Sequence, residues 1–355
     1  MATTRWWMGD DVTARDEPVF ALTTRGLEGV VANELSPIAG VTIIERGYRR
    51  VSLLTSGSLG ALLTLRTADD VFLQLASWDN VSHTRAALND LRDRSRRFDL
   101  ERAAIAIGRV RPIPDVPAFT VTSSFVGRRN YTNSEIEAAF VASVAGATGW
   151  RFDTEDRSAD LHLRIFAEHE RAWLGVRIAR SPLHERTYPR LHRPGALRPS
   201  IAAAMVALAD VTPGGTILDP FCGTGTILVE AANMHHPVIG GDLSDEAVAV
   251  ARHNLRAASL AGAIAQWDAT SLPLASRSMD GVVTNPPWGR QVAVTESLKT
   301  LYDEAVREAI RVVVPGSPIV LLTAYPELVE SLGVGSWERH EISLYGQTPT
   351  ILVST

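Results

Sequence analysis

The residue run that carries the clearest chemistry is Thr-Asn-Pro-Pro-Trp-Gly at 284–289, which follows a short apolar stretch. The side-chain oxygen of Asn285 and the carbonyl of Pro286 can accept the two hydrogens of an amine whose lone pair is delocalised into a ring. Accepting them returns electron density to the nitrogen and makes it a better nucleophile. Pro287 fixes its own φ and restricts Pro286, and Trp288 offers a face on which a planar base can stack. We therefore predict that these four residues are catalytic.

A glycine-rich run, Asp-Pro-Phe-Cys-Gly-Thr-Gly-Thr at 219–226, lies between a strand pattern and a helix pattern. Gly223 and Gly225 let the backbone approach a ligand closely and expose amide groups at the start of the helix. A dinucleotide-binding fingerprint would need a third small residue where the chain has Leu228, which disfavours a nicotinamide enzyme. The other ligand that uses this geometry is S-adenosylmethionine (SAM), which has no pyrophosphate.

Carboxylates follow the next two strand patterns. Asp242 ends the second strand, 17 residues after Gly225, and can accept both hydroxyls of a ribose. Asp268 follows the third strand and can accept from the amino group of adenine. Either residue alone is typical of a helix cap, but with Asp219 they mark three successive strand ends. The predicted cofactor-binding residues are Asp219, Pro220, Cys222, Gly223, Thr224, Gly225, Asp242, Leu243, Asp268, Ala269 and Asn285.

Short apolar strands alternate with helices from residue 201 onward. The predicted strands lie at 216–219, 238–242, 263–267, 281–284 and 318–322, and the predicted helices at 201–208, 226–234, 244–260 and 295–313. This alternation indicates a parallel sheet covered on both faces, and such sheets bind ligands at the carboxyl ends of their strands. We predict an α/β, Rossmann-like domain at 201–355.

The chain before residue 201 predicts α+β structure. Strands are predicted at 19–22, 41–44, 51–54, 119–124, 161–166 and 172–178, helices at 27–38 and 134–148, and mostly helical connections at 57–110. Ser134 and Glu137 have the spacing of a capping box. The predicted divisions are a flexible tail at 1–17, a ferredoxin-like α+β subdomain at 18–60, a second α+β module at 61–180, a linker at 181–200 and the α/β domain.

The segment 177–199 contains six arginines, four prolines and a single acid, Glu185. Four prolines prevent a long regular helix, and arginine presents a planar fork that suits phosphate. Residues 1–200 carry 27 arginines and 24 acids, a net charge of +3, whereas residues 201–355 have a net charge of −8. The two parts sum to the net charge of −5. The first part of the chain is therefore the part suited to an anionic partner. We predict that Arg186, Arg190 and Arg193 contact this partner; the alternative is a surface connector with solvated arginines.

These motifs resemble those of a known family. Residues 197–325 resemble a class I SAM-dependent methyltransferase that methylates amines. The runs at 218–232 (LDPFCGTGTILVEAA) and 285–290 (NPPWGR) are similar to those of the THUMP-domain RNA methyltransferases that make N2-methylguanosine. Residues 118–180 resemble the second part of a THUMP domain, an RNA-binding α+β module. Shorter runs at 26–28, 34–35, 181–188 and 196–203 resemble the family's opening, linker and catalytic lead-in.

The resemblance implies a SAM-dependent RNA (guanine-N2-)methyltransferase with a THUMP-like domain at 61–180, acting on transfer RNA before ribosomal RNA. In this family the base stacks on an aromatic residue that is usually Tyr or Phe, where this chain has Trp288. The resemblance implies that Asp219, Gly223 and Gly225 contact the methionine part of SAM. Asp242 would contact its ribose and Asp268 its adenine. By resemblance, Asn285 and Pro286 would hold the target amine and Trp288 would stack on its base. The predicted substrate-binding residues are Arg186, Arg190, Arg193, Trp288 and Arg290.

Two alternatives stay open. The same amine chemistry could act on ribosomal RNA, adenine in DNA, a protein amide or a small-molecule amine. The second alternative is a non-catalytic RNA-binding protein with a vestigial methyltransferase domain, which the intact Asp219, Gly223, Gly225 and Asn285 disfavour.

Composition excludes several other classes. With 45% hydrophobic and 21% charged residues the chain has the composition of a globular protein. The single cysteine, Cys222, excludes a disulfide framework and a thiolate-rich zinc site, and we predict no metal. No apolar run reaches the ~18 residues of a membrane span and no secretory signal is visible, so a cytoplasmic protein with no membrane partner is expected. The oligomeric state is left open.

Overall fold

The structure is a computed structural model that describes residues 16–95, 98–188, 190–288, 296–333, 335–344 and 346–354. The chain divides into two compact units, one formed by residues 1–23 and 32–183 and the other by 24–31 and 184–355. Most of the predicted flexible tail lies outside the described residues, and its last residue, Glu17, begins the first strand. None of the helices in the described ranges is long and apolar enough to cross a membrane.

The first unit is built around an eight-stranded sheet. The elements of this half of the chain are β1 (Glu17–Leu22), α1 (Glu28–Leu35), β2 (Val41–Gly47), β3 (Arg50–Thr55), β4 (Asp70–Trp78), α2 (Ala86–Ser95), α3 (Leu100–Gly108), β5 (Ala118–Val126), α4 (Asn133–Thr148), β6 (Arg151–Phe152), β7 (Leu161–Glu168) and β8 (Arg171–Arg177). The strand order is β2-β3-β1-β4-β8-β7-β5-β6. Only the β5–β7 and β5–β6 pairs are parallel.

Strand β4 corrects the expectation of mostly helical connections at 57–110, which is wrong for this stretch. It pairs antiparallel with both β1 and β8, and Leu73 faces Val19 on one side and Val176 on the other. Val71, Phe72 and Leu73 are all buried, so the strand shows no alternation of polar and apolar residues that would reveal it. One sheet therefore contains strands from both sides of residue 60, the predicted boundary between the subdomain and the THUMP-like domain. The domain boundaries themselves stay a prediction.

The capping box of α4 is shifted from the predicted pair, Ser134 and Glu137. The Thr132 hydroxyl accepts from the Glu135 amide at 3.2 Å, and the Glu135 carboxylate accepts from the Thr132 amide at 2.9 Å. Glu137 instead accepts from the backbone amide of Ser123 on β5 at 2.7 Å. Both pairs have the capping-box spacing, so local sequence alone could not choose between them.

The second unit contains the predicted Rossmann-like fold. Its elements are α5 (Pro199–Ala209), β9 (Ile217–Asp219), α6 (Thr226–Asn233), β10 (Val238–Asp242), α7 (Asp245–Ala257), β11 (Ala263–Gln266), β12 (Gly281–Thr284), α8 (Glu296–Val312), β13 (Ile319–Thr323), α9 (Pro326–Glu330), β14 (Trp337–Glu341) and β15 (Thr350–Ser354). The strand order is β11-β10-β9-β12-β13-β15-β14. The first five strands are parallel, and β15 runs antiparallel to both its neighbours.

The order of the strands fixes where a ligand can bind. After β9 the chain winds outward through β10 and β11, and it then returns to the other side of β9 at β12. Two central strands whose connections leave in opposite directions open a crevice at their carboxyl ends. The crevice therefore opens where β9 ends at Asp219 and β12 ends at Thr284. Completely buried apolar residues such as Leu218 and Val283 anchor these two strands.

Candidate functional site

A cavity of about 750 Å³ opens at the carboxyl ends of the parallel strands. It brings together the glycine-rich turn and the Asn-Pro-Pro-Trp turn. Ten of the predicted cofactor-binding residues line it: Asp219, Pro220, Cys222, Gly223, Thr224, Asp242, Leu243, Asp268, Ala269 and Asn285. The other three predicted catalytic residues, Pro286, Pro287 and Trp288, line it as well. The eleventh cofactor-binding candidate, Gly225, does not line the cavity.

Gly225 shapes the cavity without lining it. It precedes α6 with a φ of +76°, a left-handed conformation that favours glycine. A side chain there would also come within 3.1 Å of Ala251 on α7. Its amide donates to the carbonyl of Cys222 at 2.7 Å, which closes the turn. Glycine at this position therefore lets α6 and α7 pack closely beneath the turn.

The carboxylate of Asp242 organises the turn from the neighbouring strand. It accepts from the Gly223 amide and from the Ser244 amide, each at 3.0 Å and each on a different oxygen. Each carboxylate oxygen has a second lone pair. Asp242 can therefore hold the turn in shape and still accept from hydroxyl groups of a ligand in the cavity.

Asp219 is a buried carboxylate in the wall of the cavity. Its Oδ1 accepts from the Thr284 hydroxyl at 2.7 Å and from the Phe221 amide at 3.2 Å. Among the described residues, no arginine, lysine or histidine forms an ion pair with it. Burial, reinforced by the charge of Asp242, raises the pKa of Asp219 to about 7. The site thus presents a desolvated carboxylate whose charged form would be stabilised by a cationic ligand.

Two other predicted cofactor contacts differ sharply in exposure. The Cys222 thiol is buried, and this burial, together with the charges of Asp219 and Asp242, raises its pKa far above the usual range. It therefore stays protonated and is no nucleophile. Asp268 is exposed, and its Oδ1 accepts from the hydroxyl and the amide of Thr270, which lower its pKa. It remains a charged acceptor at the rim of the cavity.

The Asn-Pro-Pro-Trp turn is fixed by three contacts. Thr284, just before it, is tied to Asp219 through the hydrogen bond described above. The indole Nε1 of Trp288 donates to Asn285 Oδ1 at 2.6 Å across the turn. Behind the turn, the buried Tyr302 hydroxyl on α8 donates to the Pro287 carbonyl at 3.1 Å and lies 2.9 Å from the Thr323 hydroxyl. Nothing in the sequence marks Tyr302, because it is one residue of an ordinary amphipathic helix.

The three arginines of the linker do not share one environment. Arg186 forms a two-pronged ion pair with Glu230 on α6, with both N–O distances 3.0 Å. The side chain of Arg186 is 7% exposed and that of Glu230 is completely buried. This arrangement differs from the expected contact of Arg186 with RNA, because its guanidinium is paired with a buried carboxylate.

The other predicted RNA contacts are placed differently. Arg193 lines the cavity and is partly exposed, 3.2 Å from the Glu246 carboxylate and 3.4 Å from the Ser244 hydroxyl. Arg190 is partly exposed and has no hydrogen bond or ion pair within the described ranges. Arg290 lies outside the described residues. Asn254 of α7 anchors this part of the linker, since its carboxamide bonds both backbone groups of Leu191 and also the Thr224 carbonyl.

Sequence reasoning missed part of the cavity wall. The linker contributes Pro194 and Leu197, α8 contributes Leu301, and the turn between β14 and β15 contributes Leu344 and Gln347. Leu197 lies in the run at 196–203 but has no predicted role in the site, and the others carry no motif. All of them come together only in the fold. In the described part of the chain, no group of three or more His, Cys, Asp and Glu residues is arranged to hold a metal ion.

The sheet order, the glycine-rich turn after β9 and the Asn-Pro-Pro-Trp turn after β12 define a class I methyltransferase. Comparison with known proteins agrees. Residues 186–341 match the family model described as "RMKL-like, methyltransferase domain". The chain is 34% identical over 249 residues to a tRNA (guanine(6)-N2)-methyltransferase of Thermus thermophilus, covering 68% of this chain and 72% of that protein.

Two further relatives extend the comparison. The chain is 34% identical over 198 residues to the bovine U6 snRNA (guanine-N(2))-methyltransferase THUMPD2, covering 55% of this chain but only 38% of that protein. The crystal structure of TrmN from Thermus thermophilus superposes with a TM-score of 0.76 at 28% identity, covering 95% of this chain and 98% of that one. The chain belongs to the THUMP-domain-containing, class I SAM-dependent RNA (guanine-N2-)methyltransferase family.

Proposed function

We propose that this methyltransferase transfers a methyl group to the exocyclic N2 amine of a guanosine in RNA, and that the RNA is a transfer RNA. The observation that carries the proposal is that the amine-accepting turn at Asn285 and the glycine-rich turn at Gly223 line one cavity. A cofactor held by one turn and a base held by the other would meet there. Methyl transfer needs this positioning more than it needs a strong base.

The residues of the cavity fit SAM. The methionine part of SAM carries an ammonium group, and Asp219 is a buried carboxylate with no cationic partner among the described residues. Asp242 would accept from the ribose hydroxyls and Asp268 from the adenine amine, and the exposed Leu243 would offer an apolar surface beside them. When bound, SAM supplies a methyl group on a sulfonium, so that the electron pair of the carbon–sulfur bond leaves with the sulfur.

The residues of the Asn-Pro-Pro-Trp turn would act on the amine. Asn285 Oδ1 and the Pro286 carbonyl accept the N2 hydrogens and orient the nitrogen lone pair towards the methyl group. The lone pair forms the new nitrogen–carbon bond, and the proton that the nitrogen must then lose passes to water. The indole face of Trp288 supports a guanine that has left its stack, which such a reaction requires.

The substrates of the relatives and the charge of this chain both support an RNA substrate. The relatives named above act on guanine in tRNA and in U6 snRNA. Residues 1–200 carry the positive balance of this chain, and Arg193 places a guanidinium at the cavity itself. Arg190 lies close by in the same linker, so an RNA phosphate near the flipped base would meet two cations.

The proposal is tested by offering the full chain labelled SAM with purified tRNA, ribosomal RNA, DNA or protein in separate reactions. Label in tRNA alone is the expected result. Asn285→Ala is the control, since it should bind SAM and transfer nothing. Label in DNA or protein, or in ribosomal RNA but not tRNA, would refute the substrate assignment.

A further inference from the structure

The hydrogen bond between Trp288 and Asn285 is unexpected for a residue whose assigned task is stacking. Trp288 Nε1 lies 2.6 Å from Asn285 Oδ1, and both residues line the cavity. Trp288 is partly buried against the apolar core of the second unit, which restrains the ring. The indole N–H is thus engaged by Asn285 while Trp288 also lines the cavity.

The direction of this bond determines which end of the Asn285 carboxamide is an acceptor at the site. An indole N–H is only a donor, so it must meet the oxygen of the carboxamide; the reversed carboxamide would bring two donors together. The oxygen has two lone pairs, and the bond to Trp288 uses one of them. The second lone pair remains for the hydrogen of a target amine. A reversed carboxamide would instead present N–H groups to that amine and repel it.

The backbone around this bond is held independently. Tyr302 fixes the Pro287 carbonyl, and Thr284 is bonded to Asp219. Removing the indole N–H would therefore leave the turn in place and free only the rotation of the carboxamide.

We propose that Trp288 is a positioning residue, whose indole N–H holds the Asn285 carboxamide with its oxygen at the point where the target amine binds. This inference rests on the proposed function, in which Asn285 accepts from that amine. Trp288 then has two separable roles. Its face supports the base, and its N–H sets the orientation of the acceptor.

The two roles separate in a double-substitution experiment on the full chain with tRNA and SAM. Trp288→Phe keeps a ring and removes the donor, so it should lower kcat about tenfold, with KM for tRNA and Kd for SAM nearly unchanged. Asn285→Asp replaces the carboxamide by a carboxylate, whose two ends are both acceptors. In that background Trp288→Phe should change kcat less than about twofold, because no wrong orientation exists. Equal losses in both backgrounds, or a raised KM instead of a lowered kcat, would overturn the proposal.

A spectroscopic readout keeps the test independent of activity. In a ¹⁵N–¹H spectrum, the Trp288 indole resonance is identified by its loss in Trp288→Phe. It should shift strongly in Asn285→Ala and stay hydrogen-bonded in Asn285→Asp. Trp337→Phe is the matched control, because it removes a different buried indole N–H, one that meets no acceptor in the described residues. It should leave the Trp288 resonance where it is. An unmoved Trp288 resonance in Asn285→Ala would refute the bond.

The two failures are distinguishable. If the wild-type chain methylates no RNA while the indole resonance responds to Asn285→Ala, the proposed function fails and the bond stands. If the chain methylates tRNA and Trp288→Phe has wild-type kcat, only the positioning role fails.

Discussion

The hydroxyl of Thr284 donates a 2.7 Å hydrogen bond to the carboxylate of Asp219, which joins the ends of the two central strands, β12 and β9. One end of this bond lies in the glycine-rich turn and the other immediately precedes Asn285. The cofactor-binding turn and the amine-binding turn are therefore coupled through a buried hydrogen bond. Both partners are almost completely inaccessible to water, so the bond is not weakened by solvent.

Thr284→Val removes this donor and keeps the shape of the side chain. The remaining bond to the Phe221 amide stabilises the ionised carboxylate less, so the pKa of Asp219 should rise further and SAM should bind about tenfold more weakly near pH 7. Titration calorimetry measures the change. Thr284→Ser, which restores the hydroxyl, should recover most of the affinity; an unchanged Kd in the valine variant would contradict the coupling.

The affinity for SAM should depend on pH through Asp219. Because the pKa of this group is raised to about 7, it is largely protonated below that value and must lose its proton to face the ammonium. SAM binding should therefore weaken about tenfold between pH 8 and pH 6, with a proton released on binding at the lower pH. Asp219→Asn should bind weakly at both pH values. A pH-independent Kd in the wild type would remove the ammonium contact.

Asp219 should also make the stability of the SAM-free protein depend on pH. The folded pKa lies above the unfolded value, so the folded state holds a proton that the unfolded state releases. This contribution to stability is fully present at low pH, near the unfolded pKa, and is lost as pH rises towards about 7, at about 1.4 kcal/mol per pH unit. Thermal unfolding of wild type and Asp219→Asn at several pH values isolates it. The difference between the two proteins should grow in favour of the variant as pH rises, and a constant difference would contradict the assignment.

Substitutions in the linker should affect stability at Arg186 and RNA binding at Arg190 and Arg193. Arg186→Ala leaves the buried Glu230 carboxylate without its guanidinium and should cost about 3–5 kcal/mol of unfolding free energy. Arg190→Ala with Arg193→Ala should cost little stability but lower RNA affinity and reduce the salt dependence of binding by up to about two phosphate contacts. Denaturant unfolding and RNA titrations at several salt concentrations measure both. An unchanged salt slope in the double variant would make the linker a plain connector.

Asn285→Ala should abolish turnover while SAM still binds. The carboxamide oxygen accepts from the reacting amine, so kcat should fall by at least about 100-fold and the Kd for SAM should change little. Single-turnover methylation and calorimetry on the same preparation test the two halves. A variant with wild-type kcat would show that Asn285 does not accept from the amine.

The sequence predicts those parts of the site that are formed by residues close together in the chain. Gly223, Asp242 and Asn285 each follow an apolar strand pattern, and parallel strands bring their carboxyl ends to one edge without further information. Contacts between distant segments leave no such trace. The pairing of Arg186 with Glu230 spans 44 residues, and a charged side chain in a proline-rich linker has the same sequence signature whether it is solvated or buried.

Trp288 shows a subtler limit. The bond to Asn285 spans only three residues, yet the sequence predicts a role for the ring face alone, because stacking is the property that Trp shares with Tyr and Phe. Only the geometry of the turn shows that the N–H is used. Strand β4 escapes prediction for a different reason, since its first four residues are all buried and give no periodicity to separate a strand from a buried helix.

The proposed methyl acceptor is the exocyclic N2 of guanine. Transfer RNA methylated by the full chain with labelled SAM would be digested to nucleosides, and the labelled nucleoside identified by mass spectrometry against standards. We expect label in N2-methylguanosine. Label in N6-methyladenosine or in a ring-nitrogen product of guanine, with Asn285→Ala inactive, would contradict it.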